Sequence, residues 1–129
     1  MTVKKISVLI DNKIEKAVLD YDEHKLTINL KLKNKPERNY NGLDLYDCFG
    51  KILKDLPSIN FLCKGAKLNV RPSTMSSQMT AGIMAYDHKI GMPVDRTDIV
   101  NIFDYENQNI INDPQLQKDY FLRWVSSLK

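Results

Sequence analysis

The chain has 129 residues, 43% of them hydrophobic and 27% charged, with a net charge of +3. That length fits a single domain spanning residues 1–129, and the apolar share is too high for a disordered chain. No apolar run approaches the roughly 18 residues of a membrane-spanning helix, because charges such as Asp11, Lys51 and Lys64 interrupt the best candidates. No membrane partner is expected.

Met1-Thr2-Val3-Lys4-Lys5-Ile6 carries two lysines but only a short apolar stretch before Asp11-Asn12. It lacks a secretory core and cleavage site, so the mature protein is expected to start here and to work in the cytoplasm. Cys48 and Cys63 are the only cysteines; with no His or Cys at metal-ligand spacing they read as reduced core thiols. Charge is unevenly spread: residues 1–71 hold 14 basic and 9 acidic side chains, residues 72–129 hold 5 and 7. Such asymmetry points weakly to a partner-facing surface.

Three early segments alternate with period two, the signature of strands with one apolar face. Ile6, Val8 and Ile10 share one face; Ala17, Leu19 and Tyr21 form the next; Leu26, Ile28, Leu30 and Leu32 oppose Lys25, Thr27, Asn29, Lys31 and Lys33. Short polar links, Asp11-Asn12-Lys13 and Asp22-Glu23-His24, predict tight turns and hence a three-stranded antiparallel meander. One sheet face is then wet and lysine-rich, and the other needs helices to cover it. Residues 33–42, with Pro36 and Gly42 and no periodicity, are expected to be a loop.

From Leu43 the apolar positions Leu45, Phe49, Ile52, Leu53 and Leu56 recur at helical spacing until Pro57. Ile59 to Cys63 is a short strand candidate closed by Gly65. A second helix is expected from the Ser73 region to about His88, with Met75, Met79, Gly82, Ile83 and Tyr86 on one face and Gly91 and Pro93 ending it. Residues 98–105 fit either strand or helical turn; β-branched enrichment favours a strand. Asp113-Pro114 starts a last helix whose apolar stripe is Leu116, Tyr120, Phe121, Trp124, Val125 and Leu128. The fold class is α+β: the N-terminal meander plus further short strands, covered by about three helices. No repeat or linker interrupts it.

Nucleophilic catalysis needs a base beside the nucleophile, and the chain offers only His24 and His88. Sequence places the first in a turn and the second near a helix end, where an ordinary structural histidine is the simpler reading. No metal-ligand spacing occurs, so neither an enzyme nor a cofactor or metal is expected. The strand-to-helix stretch Gly65–Gln78 gathers anion-friendly groups: Arg71 with the hydroxyls of Ser73, Thr74, Ser76 and Ser77 at a helix start. The competing reading has Ser73 capping the helix and the other hydroxyls facing water. Met75, Met79 and Met84 could form an adaptable binding surface, but core filling is the expected role. Lys31, Lys33, Lys35 and Arg38, with Tyr40 and Tyr46 for stacking, could follow a nucleic-acid backbone; strand lysines more often guard a sheet edge, and nucleic acid is not the expected partner.

The stretch Lys67 to Tyr105 contains Val70-x-Pro72-Ser73-x-Met75, Met79-x-x-Gly82-x-x-Ala85-Tyr86 and Asp98-Ile99-Val100-Asn101-Ile102-Phe103-Asp104. It resembles small bacterial proteins of toxin and immunity loci. The resemblance implies an immunity protein of the contact-dependent growth inhibition type, which stays in the cytoplasm and neutralises a cognate toxin domain delivered by a neighbour. Inhibition would then be steric and electrostatic, with Asp95, Asp98, Asp104, Glu106 and Asp113 as candidate toxin-binding residues standing in for phosphates. The net positive charge departs from that of a strongly acidic mimic. The alternatives are a small nucleic-acid-binding module and an anion- or ligand-binding protein using the Arg71 helix start.

Overall fold

Asp11 and Asn12 both take left-handed backbone angles, φ 50° and 64°, the conformation that a two-residue hairpin turn requires. In the computed structural model, which describes residues 1–129, they join β1 (Thr2–Ile10) to β2 (Lys13–Asp22). The next turn is built by Asp22, whose Oδ1 accepts the His24 and Lys25 N–H groups at 2.9 and 3.0 Å before β3 (Thr27–Lys31) begins. The register sets Ile6 opposite Ala17, Leu19 opposite Leu30, and Tyr21 opposite Ile28. Those side chains therefore share one buried face, while Lys5, Lys16 and Lys31 are exposed, as the alternation predicts.

The expected loop at 33–42 is in part a strand. β4 (Arg38–Asn41) pairs with β3, and β5 (Asn60–Phe61) pairs with β1, giving an antiparallel curled sheet in the order β4-β3-β2-β1-β5. β4 has only Tyr40 as an apolar residue, so it carries no alternation to read. It is a polar edge strand tied down by Arg38 and Tyr40, which both donate to Asp55 Oδ2, at 2.8 and 2.6 Å. Asp55 ends α1 (Leu45–Asp55), whose buried Leu45, Cys48, Phe49, Ile52 and Leu53 cover the sheet. Fully burying one such large side chain is worth about 1.5–3 kcal/mol. Phe49 meets Phe61 and Phe103 edge-on, with ring centroids 5.7 and 5.9 Å apart. Cys48 and Cys63 are buried free thiols, pushed up by burial to about 11 and about 12.

A second sheet, β6 (Val70–Arg71), β7 (Met84–Asp87) and β8 (Ile99–Asn101), has β7 at its centre. Here the expected long helix divides in two. α2 runs only from Thr74 to Thr80; Ala81 and Gly82 then take φ 56° and 80° and turn the chain into β7. Ile83 and Ala85 are buried alternately, a period-two pattern that two apolar residues could not separate from a helical one. The strand reading of 98–105 holds for Ile99–Asn101. α3 (Pro114–Ser127) starts at the Asp113 cap as expected, but its buried residues are Gln117 and Trp124. Leu116, Val125 and Leu128 from the expected stripe remain exposed. The contact face is centred on Gln117 because its amide donates to the carbonyls of Gly65 and Lys67, at 2.9 and 3.0 Å. No helix is long and apolar enough to cross a membrane.

Candidate functional site

The starts of all three helices border one open groove of about 770 Å³, lined among others by Asp44, Lys51, Lys54, Arg71, Ser73, Ser77, Asp113, Lys118 and Phe121. Each helix start is already capped. Asp44 Oδ1 accepts the Asp47 N–H at 2.7 Å, Ser73 Oγ accepts the Ser76 N–H at 3.0 Å, and Asp113 Oδ1 accepts the Gln115 N–H at 2.9 Å.

Asp44 is the joint of this arrangement. It is only 7% exposed, and its second carboxylate oxygen accepts the Ser77 hydroxyl at 2.5 Å, locking α2 to the start of α1. The Leu45 N–H donates to the Ala81 carbonyl at 2.7 Å and fixes the other end of α2. Gly82 makes this possible: a Cβ there would lie 2.7 Å from the Asp44 carboxyl, and its φ of 80° disfavours any side chain. At Gly50 α3 approaches closely, since a Cβ there would sit in tight contact 3.3 Å from the Pro114 ring.

The charges of the groove are unequally satisfied. Asp44, Asp47 and Asp113 all accept backbone N–H groups, Asp47 from Leu43 at 2.9 Å. None of the six ion pairs in the structure involves Lys51, Lys54, Arg71 or Lys118. The Arg71 guanidinium lies 5.4 Å from the centre of the Phe121 ring, a cation–π contact that fixes its position without neutralising it. Lys51 donates to the Asn41 carbonyl at 2.7 Å. Tyr46 donates to the Val70 carbonyl at 2.8 Å, and burial raises its pKa, holding the phenol neutral.

Of the anion-binding candidates, Arg71, Ser73, Thr74 and Ser77 line the groove and Ser76 does not. Ser73 is the cap and Ser77 is bonded to Asp44, which leaves Arg71 and the exposed Thr74. Lys51, Lys54 and Lys118 were not singled out by the sequence. On their own helices they look like ordinary solvated lysines, and only the packing of α1 against α3 brings them together.

The acidic set is spread through the loops. Asp95 and Asp98 form a reciprocal capping box, and Asp98 pairs with Lys89 at 2.9 Å, which lowers its pKa. Glu106 sits between Lys64 and Lys67, at 3.2 and 3.3 Å. Burial pushes Glu106 up, but the Gln108 N–H and the two ammonium groups outweigh it and hold the carboxyl at about 2. Asp104 is exposed, and Asp113 alone of the set lines the groove.

His88 is 4% exposed and packs on Trp124, ring centroids 4.4 Å apart, with Nδ1 3.1 Å from the Asn69 carbonyl. Burial lowers its pKa. His24 is exposed in the β2–β3 turn. Neither faces the groove. In the basic run, Lys31 lies 3.9 Å from Glu37 and Arg38 pairs with Asp55, while the Tyr40 and Tyr46 hydroxyls are engaged with Asp55 and Val70. Met75 and Met79, expected in the core, are 68% and 77% exposed on α2, none of whose residues is fully buried.

Compared with known protein families and with curated proteins, the chain matches none.

Proposed function

We propose that the chain is a recognition protein of the immunity type, which binds a cognate toxin domain in the cytoplasm and neutralises it by covering its working surface. The observation that carries this reading is α2, a seven-residue helix with no buried residue, held in place while presenting Met75 and Met79 to solvent. An isolated helix of that length is unstable in water. Here the Ser73 cap, the Ser77–Asp44 bond and the Leu45–Ala81 bond hold it. A rigid element that adds nothing to the core, carrying thioethers that repack easily against a partner, suits a docking surface.

The segment resembling immunity proteins builds this side of the molecule: Pro72 and Ser73 lead into α2, Gly82 seats it on Asp44, and Val70 and Ala85 are buried beneath it in the second sheet. On this reading Asp95, Asp98 and Glu106 brace the loops, Asp113 caps α3, and the exposed Asp104 is the member of the acidic set left to face a partner. The nucleic-acid alternative loses ground because the rings of Tyr40 and Tyr46 are partly buried against the core, which limits the faces they can offer to a base.

The test is co-expression with a candidate toxin domain taken from the neighbouring reading frame. The intact protein should restore growth and co-elute with the toxin domain, and Met79→Asp should weaken both while leaving the melting temperature within about 2 °C, as expected of an exposed position. Unimpaired killing in the presence of well-expressed, folded protein would remove the proposal.

A further inference from the structure

The groove beside α2 has a chemistry of its own. Four cations without a carboxylate partner, Lys51, Lys54, Arg71 and Lys118, share it with three carboxylates, Asp44, Asp47 and Asp113, that each accept a backbone N–H group at a helix start. Four cations against three carboxylates leave a small positive excess, and the cations are the side chains without an opposite charge bonded to them, although residues 72–129 as a whole are acidic. Leu43 at the groove is 89% exposed, adding an apolar contact at its edge.

We infer that this groove receives an acidic peptide segment of the partner, its carboxylates meeting Lys51, Lys54, Arg71 and Lys118 and its apolar side chains resting on Leu43. The inference rests on the reading of the chain as a toxin-binding protein and names the part of the toxin it grips. A peptide fits better than a nucleic acid for two reasons. The carboxylates lining the groove repel a continuous chain of phosphates, whereas a segment with spaced acidic residues can place each charge on a cation. Free aromatic faces for base stacking are also scarce, since Arg71 covers the Phe121 ring and the Tyr46 ring is packed against the core. Arg71, held over Phe121, is the pre-positioned anchor; the lysines steer the approach.

The experiment uses the full chain and two fluorescein-labelled ten-residue peptides, one of alternating Glu and Leu, the other with Gln in place of Glu. Anisotropy should show binding of the acidic peptide that weakens as salt is raised, and no binding of the neutral one. The double variant Lys54→Gln/Lys118→Gln changes two exposed side chains without ion pairs. It should bind about tenfold more weakly, in line with two desolvating charge contacts, with its melting curve unchanged; if the double variant unfolds, Lys118→Gln alone gives the same comparison. Equal affinity of wild type and variant for the acidic peptide overturns the inference, as does tighter binding of a single-stranded oligonucleotide at the same salt. The toxin domain separates the two proposals. If it binds wild type and variant equally, the groove assignment fails and the immunity reading stands; if it binds neither while the acidic peptide still distinguishes them, the reverse holds.

Discussion

Residues 2–31 and residues 62–112 both contain antiparallel sheet, yet they are held differently. In the first, three strands of nine, ten and five residues stack one apolar side chain over another. In the second, the strands are two to four residues long, and side chains finish what the ladders leave open. Gln117 serves the Gly65 and Lys67 carbonyls, Asn69 donates to the His88 carbonyl at 3.2 Å, and Asn112 donates to the Pro57 carbonyl at 2.7 Å. Lys64, Lys67, Asp87 and Glu106 add a partly buried ion network. One region is a matter of volume and the other of polar satisfaction, so different substitutions should break them.

The largest effect should come from the shared core. Phe49→Ala removes the ring between Phe61 and Phe103 and should cost about 3–5 kcal/mol, read as a lower urea midpoint with both regions unfolding together. Gln117→Leu conserves bulk but strips two carbonyls of their donor and should cost about 1–3 kcal/mol. Hydrogen exchange should show that loss concentrated in residues 62–112, with β1 to β3 still protected. A uniform loss would erase the distinction between the two regions.

A smaller effect comes from pH. Glu106 holds its proton at about 2 in the folded chain against an ordinary 4.5, so the folded state favours the carboxylate. Its stabilisation is complete above about 4.5 and drains away as the pH falls toward 2. Glu106→Gln should flatten the stability curve across that window in acid-denaturation measurements; an unchanged slope would show the network to be idle. The smallest effect belongs to Lys31→Ala on the open face of the sheet, where the pair with Glu37 is exposed and 3.9 Å long. It should shift stability by less than about 0.5 kcal/mol.

This contrast also explains what could be read from the sequence. The meander, α1 and the start of α3 carry strong local signals: alternation over several residues, helical spacing ended by Pro57, and Asp113-Pro114. β4 has no alternation because its burial is slight. The second helix reads too long in the sequence because Met79, Gly82, Ile83 and Tyr86 fit a helical face, whereas Ala81 and Gly82 take left-handed angles and divide it. The burial of Gln117 depends on carbonyls more than 45 residues away in sequence, which no local window contains. The groove was half legible: Arg71 and its hydroxyls stood out as a helix start, but the three lysines belong to helices whose meeting is a tertiary event.

α2 also bears on how such a protein can change over generations. Because none of its residues is fully buried, its outward positions can be rewritten with little penalty to folding, while Ser73, Ser77, Asp44 and Gly82 keep the platform in place. If the proposed recognition role holds, partner choice can thus drift on this short helix, leaving the rest of the architecture intact.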